Sequence, residues 1–473
     1  MAALMEPLLE ELRRDSAAKV FVPGESGYDD AVNIWNGAIT RRPAVVVSCA
    51  SSADVAFALR FASAHGLEVS VRGGGHNYAG FALTDGGLMI DLTPMKTIVV
   101  DASSRTVRCG GGVSWGELDA ATQEHGLATP GGFVSTTGVA GLTLGGGLGW
   151  LSRKAGLSSD NLVAAEVVTP DGTVRRASAT DDSELLWAIR GGGGNFGVVT
   201  EFEFKLHSVG PIVHLGLYMF EPSDGVAMFR FARDYVKNLP DECGAFLAGL
   251  SAPPAPFVPE AMHFTPKFAL AVVGFADAAA HAEALSPIKQ ALQPTVELVT
   301  PIPYVALQQM FNDSAPWGAH AYEKAVYLDA LSDAAIDVIV EHQAKKVAPL
   351  SFLPIFVLGG VYARVPDGDS AFGGRRSVGY VVNISGCTPT EDGFDAERQW
   401  VRDFWSALVP HAEGVGSYVN FMTESETNRV RAAYGDKYDR LAALKHIYDP
   451  NNVLHLNANI QPASAARTEA NSS

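Results

Sequence analysis

Apolar positions along this chain switch repeatedly between two periods, the two-residue alternation of strands and the three-to-four-residue stripe of helices. Residues 44–47 form a short apolar run, Ser51-Ser52-Ala53-Asp54 supplies capping groups for a helix reaching about residue 66, and 68–71 is apolar again. This reads as a β-α-β unit. Strand patterns continue at 88–92, 97–100 and 106–109, a helical stripe covers 114–126, and 164–169 pairs with 173–177 as a hairpin across Pro170-Asp171-Gly172. A helix over 183–189 and a strand over 198–206 complete a second α/β lobe before about residue 208.

Beyond that point strands predicted at 212–218, 246–250, 268–273, 324–328, 352–362 and 378–384 are interleaved with helices at 225–237, 279–292 and 333–346. Such mixed order predicts an antiparallel sheet with helices on one face, and so an α+β fold. The boundaries that follow are two α/β lobes over 1–208, a second domain over 209–415, and a C-terminal segment over 416–473. Pro253-Pro254-Ala255-Pro256 is a loop within the second domain.

Composition narrows the function classes. At 473 residues, 47% hydrophobic and with 48 glycines, the chain suits a large-cored, loop-rich protein rather than a disordered one. A formal net charge of −17 opposes binding to nucleic acid or anionic lipid. The N-terminal Met1-Ala2-Ala3-Leu4-Met5-Glu6-Pro7-Leu8 carries an acidic residue within its apolar stretch, which predicts a short amphipathic helix rather than a secretory signal. No run approaches the roughly 18 apolar residues of a membrane span, so the expectation is a soluble, cytoplasmic protein with no membrane partner. Cys49, Cys109, Cys243 and Cys387 show neither CxxC nor metal-ligand spacing; they read as buried hydrophobes, and no metal site is expected.

Chemistry enters with the glycines. Val71-Arg72-Gly73-Gly74-Gly75-His76-Asn77 presents an imidazole directly after a strand, on a turn whose backbone N–H groups can converge on an anion such as a pyrophosphate. Three further clusters follow: Pro130-Gly131-Gly132, the stretch from Gly138 to Trp150, and Arg190-Gly191-Gly192-Gly193-Gly194-Asn195-Phe196-Gly197. The last satisfies G-x-G-x-x-G literally. That fingerprint requires a strand before it and a helix after it, whereas here a helical pattern precedes and β-rich Val198-Val199-Thr200 follows, which argues against a nicotinamide dehydrogenase of Rossmann type and leaves it as a minor alternative.

With Tyr418-Val419-Asn420 and the tail through Asn457-Ala458-Asn459-Ile460-Gln461-Pro462, these clusters make the chain resemble the berberine-bridge-enzyme-like oxidases. These belong to the vanillyl-alcohol-oxidase superfamily, whose two-lobe FAD-binding domain is of PCMH type. The resemblance runs from about residue 38 to Pro462 and implies that FAD is held by Arg72, Gly73, Gly74, Gly75, His76, Asn77 and Gly80. It adds Gly131, Ser135, Thr136, Thr137, Gly138, Gly141, Gly145, Gly146, Gly149, Trp150, Val199, Asn420, Asn457 and Asn459.

It further implies covalent attachment of FAD through His76. Many relatives add a second bond from a cysteine in a Cys-Pro-Thr-Val-Gly context; the matching stretch here is Val134-Ser135-Thr136-Thr137-Gly138, so single attachment is expected. A base must take a proton from the substrate while the adjacent C–H gives hydride to flavin N5. By resemblance Tyr418 is that base, with Tyr362 as a second phenol. A phenol of ordinary pKa about 10 would have to be depressed to serve near neutrality. The implied function is oxidation of a C–OH or related C–H centre of a small or medium organic molecule, with O2 as acceptor. A flavin dehydrogenase using another acceptor and a catalytically silent flavin-binding protein are the alternatives. The substrate class is open between alcohols, sugars, polyketides and alkaloid-like amines, and the oligomeric state is not legible.

Overall fold

Strands and helices lie where the two periods place them through most of the first 208 residues of the computed structural model, which describes residues 2–314, 316–377, 379–412, 416–424 and 427–464, with side chains from Glu6 onward. Strand Val45–Ser48, the capped helix Ser52–Ala64 and strand Val69–Arg72 form the β-α-β unit. Ser51 accepts from Asp54 N–H while the Asp54 carboxylate returns the bond to the backbone of Ser51, so the helix start is fixed locally. Leu88–Asp91 lies between the two strands and parallel to both, and Lys19–Phe21 adds an antiparallel edge.

The second lobe is a five-stranded antiparallel sheet in the order Ile98–Asp101, Thr106–Gly110, Val198–Lys205, Leu162–Val168, Val174–Ser178. Its core takes in the helix Tyr438–Tyr448 from the far end of the chain. Lys445 of that helix and Asp449 just after its end, both fully buried, pair at 2.7 Å, and Lys445 Nζ also donates to the carbonyls of Asn195 and Leu454.

A seven-stranded antiparallel sheet follows, in the order Val296–Pro303, Ile212–Phe220, Pro266–Gly274, Cys243–Ser251, Leu353–Leu358, Gly379–Thr388, His320–Leu328. Alternation divides its side chains. Leu247, Ile355, Val382 and Val326 pack under helices such as Gly225–Tyr235, Asp333–Gln343 and Phe394–Leu408, whereas Phe246, Phe356 and Val381 face the glycine-rich loops. The α+β architecture is as expected.

Several expectations are corrected. The strand predicted over 352–362 ends at Leu358, because Gly359 and Gly360 adopt φ of 149° and 60° and turn the chain; Tyr362 stands in a 3-10 turn, Tyr362–Arg364, not on a strand. The strand predicted from residue 324 starts at His320. Val296–Pro303 was hidden by Pro301 and Pro303, which an edge strand tolerates. Val378, the predicted first residue of its strand, lies outside the described residues, as does Val415 at the predicted boundary.

All four cysteines are free and buried. Among the described residues no helix is long and apolar enough to cross a membrane, and no group of His, Cys, Asp and Glu could hold a metal ion.

Candidate active site

The glycine turn after Val69–Arg72 packs backbone to backbone on the turn ending at Gly138. A Cβ on Gly74 would stand 2.3 Å from Gly138 N, and one on Gly138 would stand 2.4 Å from Gly74 N. Only glycine permits that approach. The paired turns form one wall of a cavity of about 390 Å3, lined in this part by Gly73, Gly74, Gly75, His76, Asn77, Thr137 and Gly138. Gly141, Gly145, Val199, Gly193 and Gly194 continue the lining, so the decoy fingerprint borders this cavity, with helix Ser183–Ile189 before it and strand Val198–Lys205 after it.

His76 opens onto the cavity with its ring stacked on Trp35 at 5.3 Å and met edge-on by Trp317 at 5.6 Å. Its Nε2 lies 2.8 Å from Thr136 Oγ1. Enclosure by these groups holds the imidazole down at about 4, so it is neutral at physiological pH.

Across the cavity, Tyr418 and Asn420 are wrapped by the Gly145–Gly147 turn. A Cβ on Gly145 would meet Asn420 Oδ1 at 2.0 Å. The Tyr418 phenolic oxygen accepts from Gly147 N–H at 2.7 Å, Leu148 N–H at 3.3 Å and Asn420 Nδ2 at 2.9 Å. Burial nonetheless pushes Tyr418 up to about 12, with those three donors pulling against it. The depressed phenol expected from sequence is not what the protein alone produces.

Not every predicted residue borders the cavity. Arg72 is buried beneath the turn and donates to the carbonyls of Asp30 and Ala31. Gly80 turns the chain against Ile39, and Gly131 and Gly149 press on each other, a Cβ on Gly149 falling 1.6 Å from Gly131 O. Ser135 bonds Asn312, and Gly146 backs the Tyr418 ring. Trp150 belongs to the apolar core with Phe133 and Phe246. Asn457 lines the cavity and Asn459 does not. Tyr362 is also outside the lining; its hydroxyl donates to Arg375 O at 2.5 Å, burial raises its pKa further than that of Tyr418, and the role of second phenol has no geometric support.

Sequence reasoning missed the aromatic part of the lining, Phe133, Phe246, Phe311, Phe352, Phe356 and Phe421, and the polar residues Glu323, Asn383 and Ser385. Strand alternation was the available signal, and starting one strand at 324 left Glu323 off it. Tyr434 ends the helix Thr427–Tyr434 and also lines the cavity, its hydroxyl without a partner among the described residues.

The cavity suits FAD. Glycines whose positions no side chain could share leave room for close backbone approach, Val71, Leu92 and Leu454 give an apolar surface, and Asn457 Oδ1 is buried without a partner among the described residues.

Comparison with known proteins decides the family. Residues 43–178 match the FAD binding domain model and 417–461 the berberine and berberine-like model. An FAD-linked oxidoreductase of Dictyostelium discoideum is 32% identical over 449 residues, 94% of each chain. The chain belongs to the berberine-bridge-enzyme-like FAD-linked oxidoreductases. It is also similar to (R)-6-hydroxynicotine oxidase of Paenarthrobacter nicotinovorans, 43% identical over 205 residues, which is 43% of this chain and 45% of that one. The crystal structure of 6-hydroxy-D-nicotine oxidase from Arthrobacter nicotinovorans superposes with a TM-score of 0.83 at 27% identity, covering 95% of this chain and 99% of the other. The BBE-like 1 protein of Physcomitrella patens shares the fold with a TM-score of 0.86 at 23% identity, over 97% and 99% of the two chains. This berberine-bridge-enzyme-like chain is therefore an FAD-dependent oxidoreductase.

The two glycine contacts separate packing from ligand binding. Gly74→Ala drives a methyl into the Gly138 backbone and should lower unfolding stability by about 1–3 kcal/mol, the usual cost of overpacking. Gly141→Ala has nothing within 4 Å of the new methyl and should melt like the parent while retaining less flavin after gel filtration. Paired thermal melts and flavin-to-protein ratios check both.

Proposed function

We propose that this chain oxidises a C–OH or related C–H centre of a small or medium organic molecule, with FAD joined to His76 and O2 as the final acceptor. The observation that carries this reading is the meeting of neutral His76 and the Tyr418 phenol at one glycine-lined, otherwise largely apolar cavity. Bound FAD would supply the two-electron acceptor. Attachment requires an imidazole nitrogen with a free lone pair; His76 is neutral, its Nε2 is engaged by Thr136, and Nδ1 has no hydrogen-bond partner among the described residues.

A second attachment is not supported. Val134 replaces the cysteine of the bicovalent pattern, and although Cys387 borders the cavity, burial pushes its thiol up to about 12, so it carries no thiolate at neutral pH. Thr137, also on the lining, stands where the family resemblance implies a residue that controls oxygen access, and it is smaller than a leucine or isoleucine that would obstruct it. The purified protein should be yellow and hold its flavin through acid precipitation, whereas His76→Ala should release the flavin; quantitative washing-out from the parent would exclude attachment. Photoreduced enzyme mixed with air should reoxidise within seconds. Reoxidation over many minutes in air, but at once with a quinone dye, would reassign the acceptor.

Tyr418 is proposed as the proton acceptor. Three N–H donors on one phenolic oxygen, with no acceptor for its proton among the described residues, suit a phenolate better than a phenol, which has fewer lone pairs to offer and a proton to place. Because burial holds the pKa high, only a small fraction is anionic near neutrality, and that fraction grows tenfold per pH unit below the pKa. The rate of anaerobic flavin reduction should therefore climb from about pH 6 to pH 10. In Tyr418→Phe it should fall about 10²- to 10⁴-fold and lose this slope, with the flavin spectrum retained. Reduction at the parental rate and slope would make Tyr418 a packing residue.

A further inference from the structure

Among the described residues, one carboxyl side chain breaks the cavity face of the seven-stranded sheet. On strand His320–Leu328, Tyr322 and Lys324 turn to the far side, where Lys324 Nζ meets Glu424 Oε2 at 2.8 Å; Glu323 between them turns to the cavity and is fully buried. Register sets it opposite Ser385, with Asn383 on the diagonal, and Asn383 Nδ2 donates to Glu323 Oε2 at 2.8 Å. Glu323 Oε1 and Asn383 Oδ1, both buried, have no hydrogen-bond partner among the described residues. Among the described residues no Lys or Arg lines the cavity; Tyr78, whose hydroxyl lies 3.2 Å from Ser385 Oγ, and the Cys387 thiol are titratable groups on the same lining.

A half-paired buried carboxyl costs stability, and an apolar residue would pack there more cheaply. With Glu323 ionised the pair presents two acceptors and no free donor, which does not suit an anion. They suit a ligand that brings N–H groups. Phe246, Phe311, Phe352 and Phe356 surround the same space, and aromatic faces attract cations as well as rings.

We infer that Glu323 and Asn383 form the polar end of the substrate pocket and receive a protonated amine nitrogen of a molecule whose aromatic part lies among the phenylalanines. This rests on the proposed function only in taking the cavity to hold the molecule that is oxidised. Glu323 is a specificity residue here, distinct from Tyr418. Burial holds its carboxyl up at about 8, so near pH 7 it is mostly protonated, and an arriving ammonium group should drive its ionisation.

The test is calorimetry on the full-length flavoprotein under nitrogen with 2-phenylethylamine and its neutral counterpart 2-phenylethanol. The amine should bind about tenfold tighter, and Glu323→Gln, which keeps shape and the Asn383 contact, should abolish that preference without weakening the alcohol. In the parent at about pH 7, amine binding should release close to one proton, seen as a heat that scales with the ionisation enthalpy of the buffer, and amine affinity should rise toward about pH 9. The released proton should be missing in the variant. Equal affinities in the parent, no binding of either probe, or an amine preference and proton release that survive Glu323→Gln would each overturn the inference. A flavin-bearing protein without amine preference sinks the subsite alone; amine preference in a protein that never reduces its flavin sinks the oxidase reading alone.

Discussion

The structure depends on one backbone contact, the approach of Gly74 to Gly138. Each glycine occupies the space that a Cβ of the other would need, so the strand Val69–Arg72 and the loop before the helix Val139–Leu144 are held closer than any pair of side-chain-bearing residues could be. That closeness brings two glycine turns, both on the cavity lining, against each other. It also fixes His76, because the residue after the first turn is carried to Thr136 of the second, 2.8 Å away. A family of cofactor sites built from backbone rather than side chains is expected to be glycine-dense, and this is where the chain concentrates its glycines.

The opposite wall obeys a different rule. In an antiparallel sheet successive residues face opposite sides, so one sequence supplies both a helix-covered core and a ligand-facing row. Leu353, Ile355 and Val357 join the core, while Phe352 and Phe356 face the cavity. The Tyr418–Asn420 segment joins the two walls, its phenol bonded to Gly147 and Leu148 and its amide to Leu142 O.

These two rules explain what was legible. Glycine clusters and the histidine after the first of them are local signals, and the decoy fingerprint and many of the cavity-lining glycines could be read from them. Tyr362 misled because Gly359 and Gly360 were taken as strand interior, although their positive φ ends the strand and removes the phenol to Arg375. Gly131, Gly149 and Trp150 misled in another way: glycine allows close packing as readily as ligand approach, and sequence does not separate the two. Glu323 and the phenylalanines were invisible because cavity-facing and core-facing positions on a strand differ only by register, and register is a property of partners far away in the chain.

The conflict at Tyr418 shows how the site balances its terms. Burial of a phenol disfavours the anion, and three N–H donors favour it, yet in the protein alone burial wins and the group sits near 12. The donors are not redundant. Gly147 and Leu148 N–H belong to a turn whose backbone is fixed by Gly145, where any side chain would displace Asn420, the third donor. Three fixed N–H donors thus surround the buried phenolic oxygen with the contacts that a phenolate would need. If Tyr418 is the base proposed above, these donors act before the transfer, by raising the fraction present as phenolate, and they weaken as the proton arrives.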